Sequence, residues 1–168
     1  MNVCDTKTHI KCIGCGACTC ACPFNLISIN TDEAGFYKAY INDIEKCVNC
    51  GKCLNVCPAE HESYSSRLAA FYGFAESSED RSQGTSGGIF TAIARKFIEN
   101  GGIVFGAVFN NDNGMVYHTS SEECDISLMS KSKYVQSNLN GVFAQIKILL
   151  ENNRDVDRKS TRLNSSHA

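Results

Sequence analysis

The chain has 168 residues, a formal net charge of −2 and eleven cysteines. The near-neutral charge argues against a nucleic-acid-binding protein. No segment has the length of a transmembrane helix, and the amino terminus lacks the pattern of a secretory signal. The length suits about one ordinary domain or two small ones.

A cysteine pattern occurs twice in the first third of the chain. Each copy has the form C-x2-C-x2-C-x3-C-P, in which three close thiolates hold one iron-sulfur cubane and the fourth reaches the other cluster. We therefore predict two 4Fe-4S clusters that cross-link the two copies, so that folding and metal loading are one event. The predicted ligands are Cys12, Cys15, Cys18 and Cys57 for cluster one, and Cys47, Cys50, Cys53 and Cys22 for cluster two.

Glycine and proline residues support this interpretation. Gly14, Gly16 and Gly51 lie inside the loops, where a missing side chain lets backbone amides approach the sulfurs and tune the reduction potential. Pro23 and Pro58 end each loop after its fourth ligand, because proline fixes φ and donates no hydrogen bond.

Two other uses of clustered cysteines are open. Structural zinc takes four ligands, usually as pairs with a longer spacer between them, and does not need a third cysteine at this spacing. Disulfides require an oxidising compartment, for which no export signal is visible.

Three cysteines fall outside the predicted ligand sets. Cys20 is expected to be a bystander, although it could replace Cys18 or Cys22; Cys124 is expected to be an inert thiol in an acidic stretch; and Cys4 is not interpreted.

Residues 1–62 are predicted to form the ferredoxin-type domain. Between the cysteine motifs, residues 26–29 and 37–41 alternate like two short strands joined by a turn at 30–35. A domain of this size buries little apolar surface, so the clusters would supply the missing stability.

Residues 63–84 are predicted to be a strand and linker, with the strand at Leu68–Ala75 and a polar loop at 76–84. An amphipathic helix follows, with Thr85 or Ser86 as N-cap and Gly101 as its end. Its apolar stripe comprises Ile89, Phe90, Ile93, Ala94, Phe97 and Ile98. The further predicted elements are a strand at 103–109, a turn at 110–114, a strand at 115–119, a helix at 125–129, a loop at 131–135 and a helix at 142–151.

The Ser86-Gly87-Gly88 helix start is a second place where chemistry is possible. Free amides, a hydroxyl and the positive helix end suit a phosphate or a flavin pyrophosphate, with Lys131 and Lys133 as added charge. The same three residues are also an ordinary way to begin a helix, and the surrounding sequence does not decide between the two interpretations.

Four segments resemble the coenzyme F420 hydrogenase/dehydrogenase beta subunit family, in particular its bacterial members with an N-terminal dicluster ferredoxin domain. The segments are Asp32–Phe36, Ser86–Ala92, Gly101–Ala107 and Ser132–Ser137.

This resemblance implies a flavin-containing oxidoreductase in which the clusters exchange electrons with FAD; coenzyme F420 itself is a doubtful cofactor. It implies cofactor-binding roles for Ser86, Gly87, Gly88, Lys133, Tyr134 and Gln136.

Residues 157–168 depart from the resemblance and read like a translated sequencing adapter, so we exclude them from fold reasoning. Residues 85–156 would then be the truncated start of an α/β flavin-binding domain without a complete active site. An unpaired sheet edge would follow from the truncation.

The predicted fold class is α+β, with a dicluster ferredoxin-type domain followed by the truncated flavin domain. The first functional hypothesis is a subunit of an oxidoreductase that exchanges electrons with a ferredoxin or another redox partner protein. The alternative is a stand-alone electron carrier with a partner-docking extension. We expect the cytoplasm of an anaerobe, because oxygen damages exposed clusters and no export signal is visible.

Overall fold

The structure, a computed structural model, describes residues 1–61, 72–84 and 86–158, without the side chains of residues 6–8 and 86. The described residues fall into two compact units. The first unit comprises 1–61 with Leu139–Ala144, and the second comprises the rest of the described chain. In the described part, no helix is long and apolar enough to cross a membrane.

Both units mix helices and strands, in agreement with the predicted α+β class. The helices are α1 Thr6–Lys11, α2 Ala17–Ala21, α3 Lys52–Asn55, α4 Ser78–Gln83, α5 Ile89–Glu99, α6 Ile126–Ser130 and α7 Val142–Glu151. The strands are β1 Ile27–Thr31, β2 Tyr37–Ile41, β3 Ile103–Phe109, β4 Val116–Ser120 and β5 Val156–Arg158.

The first unit contains the predicted hairpin. Strands β1 and β2 pair antiparallel, with Ile29 opposite Ala39. The turn closes on the Asp32 side chain, which accepts hydrogen bonds from the amides of Ala34 (3.0 Å) and Phe36 (2.9 Å). Alternation places one face of the hairpin in the core of the unit. The core residues are Val3, Cys18, Ile27, Ile29, Tyr37, Ala39 and Cys53.

The second unit is organised around β3, which is buried from its first residue to Val108. Strand β4 pairs antiparallel on one side and β5 pairs parallel on the other. Ala94 of α5 and Met129 of α6 pack against Val104 and Val108. The predicted strand, hairpin and two helices of this region are therefore confirmed, with bounds that shift by about one residue at β4 and α6.

One segment predicted to be a loop is a helix. Helix α4 lies within residues 76–84, and Ser77 caps it by accepting a hydrogen bond from the amide of Asp80 (3.3 Å). The Asp80 carboxylate is buried and accepts bonds from the Arg95 guanidinium at 2.8 and 3.2 Å. The loop prediction was wrong because capping and a tertiary ion pair stabilise this helix instead of an apolar stripe. Residues 72–75 form no strand, and the rest of the predicted strand at Leu68–Ala75 lies outside the described residues.

The start of α5 also differs from the prediction. The helix begins at Ile89, its N-cap is Gly88 at φ 72°, and no side chain caps it. Residues Ser86–Gly88 form a preceding 3-10 turn, and Thr85 lies outside the described residues. The prediction of Thr85 or Ser86 as N-cap was therefore wrong. The stripe is rotated as well, since Ile93 is 59% exposed and Thr91 is fully buried.

Residues Asp157 and Arg158, which we excluded as adapter-derived, lie in β5. Strand β5 pairs with the first three residues of β3, with Val156 opposite Ile103. The amide of Ile103 also donates to the carbonyl of Asp155 at 2.8 Å. This edge of β3 is therefore paired, because a strand needs only backbone groups to extend a sheet, and β5 is the outer strand on that side. Residues 159–168 lie outside the described part.

Candidate metal centres

The two cysteine motifs have the same local backbone. The amide of Cys12 donates to the carbonyl of His9 (3.2 Å), and the amide of Cys47 donates to the carbonyl of Ile44 (3.1 Å). After the fourth cysteine of each motif, an equivalent turn bond returns to the carbonyl of that cysteine, at 3.2 Å in the first copy and 3.1 Å in the second. The sequence repeat is thus a structural repeat.

Left-handed residues shape both loops. Gly16 (φ 80°) and Gly51 (φ 75°) precede the short helices α2 and α3. Two residues earlier, the first copy has Gly14 (φ 66°) and the second has Asn49 (φ 52°). Asparagine is among the few residues other than glycine that adopt this conformation readily. The amide of Gly14 approaches the Cys12 sulfur to 3.5 Å, which is the kind of contact predicted for the loop glycines.

Two cavities of similar size lie beside these loops, each with about 370 Å³ of empty space including the open solvent at its mouth. One is lined by Cys12, Cys15, Cys18 and Cys57 together with Pro58. The other is lined by Cys22, Cys47, Cys50 and Cys53 together with Phe24. Each cavity thus takes three cysteines from one copy and one from the other, the same grouping that the sequence predicts for the two clusters.

The donor set fits a cubane cluster in each cavity. Four cysteines line each cavity, and a 4Fe-4S cluster takes four thiolates, one at each iron. Within the described ranges, no three side chains of the metal-binding types converge closely enough to hold a single ion.

Burial differs among the cysteines of one cavity. The third cysteine of each motif is almost buried, with Cys18 7% and Cys53 8% exposed, whereas Cys50 is exposed. Burial, together with the neighbouring thiolates of Cys15 and Cys12, raises the pKa of Cys18 to about 12. Iron binds the thiolate, so loading this site must release the Cys18 proton.

The three remaining cysteines lie outside both cavity linings. Cys20 is exposed on α2. Cys124 is half-buried in the second unit, and burial followed by the charges of Asp125 and Glu123 raises its thiol pKa. The Cys4 sulfur lies 3.6 Å from the carbonyl oxygen of Ala39, and burial raises its pKa as well.

The sequence did not indicate that Lys38 contacts the first cysteine loop. This half-buried residue of β2 donates from Nζ to the carbonyl of Cys12 at 2.8 Å and lies 3.4 Å from the carbonyl of Ile10. A lysine at an intermediate strand position gives no such signal in the sequence, because the hairpin must first fold against the loop.

Three of the candidate flavin-binding residues, Ser86, Gly87 and Gly88, lie at the start of α5. A Cβ atom at Gly88 would lie 2.4 Å from the carbonyl oxygen of Asp80, and one at Gly87 would lie 3.0 Å from Cβ of Phe74. The carbonyl of Gly87 also accepts a 2.7 Å hydrogen bond from the amide of Ala75. Close backbone packing therefore accounts for both glycines. The Ser86 side chain lies outside the description.

The other three flavin candidates follow α6. Lys133 donates from Nζ to the carbonyl of Leu128 at 2.5 Å, and burial lowers its pKa. A cation at this end of a helix complements the helix dipole. Tyr134 is 89% exposed and Gln136 is half-buried. The contacts of Lys133 thus indicate a capping role at α6.

Comparison with protein families gives a match to the 4Fe-4S dicluster domain over residues 11–61. A comparison with curated proteins gives no match. The matched range contains all eight cysteines of the two cavities and ends before the second unit. Residues 11–61 are a dicluster ferredoxin-type domain, and such a domain implies iron-sulfur electron transfer.

Proposed function

We propose that the first unit binds two 4Fe-4S clusters and relays electrons between a redox partner protein, such as a ferredoxin, and the flavin of an oxidoreductase. The observation that supports the cluster part is the pair of cavities that are each lined by four cysteines drawn from both copies. When bound, the clusters supply one-electron chemistry.

The protein would hold and shield the clusters. Burial of Cys18 and Cys53 excludes water from one side of each site, and lower solvent exposure is one of the levers that set a cluster potential. The Gly14 amide near the Cys12 sulfur would stabilise negative charge on that ligand. Exposed Cys50 makes the cavity of cluster two the more accessible side for a partner.

The flavin part of the proposal is supported by the four segments that resemble the F420 hydrogenase/dehydrogenase beta subunits. On this proposal, FAD would contact Ser86, Gly87 and Gly88 through its phosphates, and Lys133, Tyr134 and Gln136 would line the cofactor cleft. The left-handed glycines at the start of α5 are compatible with close approach of a phosphate. Coenzyme F420 is not included in the proposal.

One observation favours the second candidate, a stand-alone electron carrier. Gly87 and Gly88 are accounted for by packing against Phe74 and Asp80, and Lys133 is accounted for by its bond to α6. On this alternative the second unit docks a partner and binds no cofactor.

Metal and flavin analysis of the anaerobically purified chain tests both candidates. Two clusters predict about eight irons and about eight acid-labile sulfides per chain. Bound FAD at one per chain together with these values supports the flavin oxidoreductase. The same iron and sulfide values without FAD support the stand-alone carrier. Zinc without sulfide would refute both candidates.

Oxygen sensitivity is the basis for the proposed location. Exposed Cys50 would leave one cluster open to solvent. We therefore propose the cytoplasm of an anaerobe, and faster bleaching of the brown absorbance in air than under argon is the expected result.

A further inference from the structure

The two cysteine copies differ in what binds the carbonyl of their first ligand. In the first copy, the charged Nζ of Lys38 donates to the carbonyl of Cys12 at 2.8 Å. In the second copy, the neutral side-chain amide of Asn49 lies 3.5 Å from the carbonyl of Cys47. The backbones around these carbonyls are otherwise equivalent, so the positive charge of Lys38 distinguishes the first site from the second.

We propose that Lys38 raises the reduction potential of cluster one above that of cluster two, and so makes cluster one the preferred resting place of an electron. This inference rests on the two clusters of the proposed function. Reduction adds negative charge to a cluster, and a nearby cation stabilises that charge. Lys38 is a positioning residue in this role, because it acts through the loop of Cys12 and does not bind iron.

Burial makes this cation more effective than the others near the motifs. Lys38 is half-buried, and its bonds to Cys12 and Ile10 hold it beside the loop. Lys46, before the second motif, is 75% exposed at its side chain and is paired with Asp43 at 2.8 Å. Solvent and salt screen exposed charges strongly, whereas a half-buried charge is screened less.

Two further cations lie near the second motif, the exposed Lys52 and the amino-terminal ammonium. The ammonium lies 3.5 Å from Oδ1 of Asn49, in an exposed setting. Its contact is with a side chain on the surface, and water screens both cations for the same reason. The difference in partly buried positive charge between the sites is therefore set by Lys38.

The exposure of the ligands indicates in which direction an electron would move between the two clusters. Cluster two has the exposed ligand Cys50, whereas the described cysteines around cluster one are half-buried or buried. An electron that enters at the accessible site would move to the better-shielded site of higher potential. Lys38 would thus favour one direction of transfer inside the unit.

Redox titration of the purified full chain, followed by electron paramagnetic resonance, tests the proposal. Lys38→Met removes the charge and keeps most of the stem, and Lys38→Arg keeps the charge. Lys52→Met is the matched control, because Lys52 is an exposed lysine between two ligands of the second copy. A Cys15→Ser variant assigns the midpoints, since it alters a predicted ligand of cluster one only.

We expect Lys38→Met to disfavour reduction of cluster one about tenfold, which is about 59 mV for one electron. Lys38→Arg should restore most of that shift, and Lys52→Met should produce a smaller one. An unchanged midpoint in Lys38→Met, or an equal shift in Lys52→Met, would overturn the proposal. A second outcome would also overturn the proposal. In that outcome Lys38→Met loses cluster one, and Lys38→Arg recovers the full iron content but not the potential. The role of Lys38 would then be structural.

Iron and sulfide contents separate this inference from the proposed function. A wild-type chain without iron and sulfide refutes the clusters themselves. Full iron and sulfide with an insensitive midpoint refutes only the role of Lys38.

Discussion

The core of the first unit includes two cysteines, Cys18 and Cys53, beside the hairpin, whereas the core of the second unit consists of β3 with apolar residues from α5 and α6. The first unit has short helices and a two-stranded sheet, and a lone hairpin is marginal in water. The second unit has a buried strand paired on both sides. The comparison indicates that ligand bonds must stabilise the first unit, while ordinary packing stabilises the second.

The largest expected effect is that of cluster removal. Chelation after oxidative destruction of the clusters should unfold the first unit and leave the second folded, since the cross-links between the two copies are lost. Hydrogen exchange measures this difference. Amides of Ile27–Thr31 should lose protection, while those of Ile103–Phe109 should keep it. Loss of protection in both strands together would contradict the comparison.

Removal of one cysteine ligand should remove one of the two clusters from the first unit. Cys18→Ala should lower the iron content from about eight to about four per chain, because Cys18 lines only the first cavity. Cys20→Ala is the matched control two residues away, on an exposed side chain that lines neither cavity. It should keep all the iron. If Cys20→Ala lost as much iron as Cys18→Ala, the ligand assignment would be wrong.

Overpacking should weaken the second unit without affecting the clusters. A Cβ atom at Gly106 would lie 2.6 Å from Sδ and 2.8 Å from Cβ of Met129, which is fully buried. Gly106→Ala should therefore lower the free energy of unfolding of this unit by about 1–3 kcal/mol. Urea denaturation followed by circular dichroism measures the change.

Gly73→Ala is the control for this substitution, because nothing lies within 4 Å of its added Cβ. It should leave the urea midpoint nearly unchanged, and both variants should keep their iron. A loss of iron in Gly106→Ala would show that the stabilities of the two units are coupled.

The smallest expected effect concerns the thiol of Cys124. Burial, then Asp125 and Glu123, raise its pKa above the ordinary value of 9.0. The folded state therefore favours the neutral thiol, and the thiolate becomes abundant only as the pH rises beyond 9. Alkylation of the cluster-loaded chain, followed by mass spectrometry, should show slow labelling of Cys124 at pH 8 and a steep rise above pH 9. Labelling at pH 8 as fast as that of a free cysteine would contradict this assignment.

Much of the first unit was predictable because its information is local. The spacing of the cysteines and the alternation at residues 37–41 depend on neighbours in sequence, and both reappear in the folded unit. The charged contact of Lys38 was not predictable, because it joins β2 to a loop that lies far away in sequence.

In the second unit, too, some features follow from neighbouring residues and others depend on contacts between remote residues. Strand β3 and its hairpin follow from an apolar run and a glycine-containing turn. Helix α4 and the start of α5 did not follow, because they depend on the Asp80–Arg95 pair and on the close approach of Gly88 to Asp80. A pattern of apolar residues contains no information about such polar and backbone contacts.

By itself the sequence determined the cysteine repeat and the two hairpins, because cysteine spacing and side-chain alternation are properties of consecutive residues. Only the tertiary structure decided which carbonyl receives the Lys38 charge, where α5 begins and what covers the edge of β3. These features depend on distances between residues that are remote in the chain, and folding alone brings those residues together.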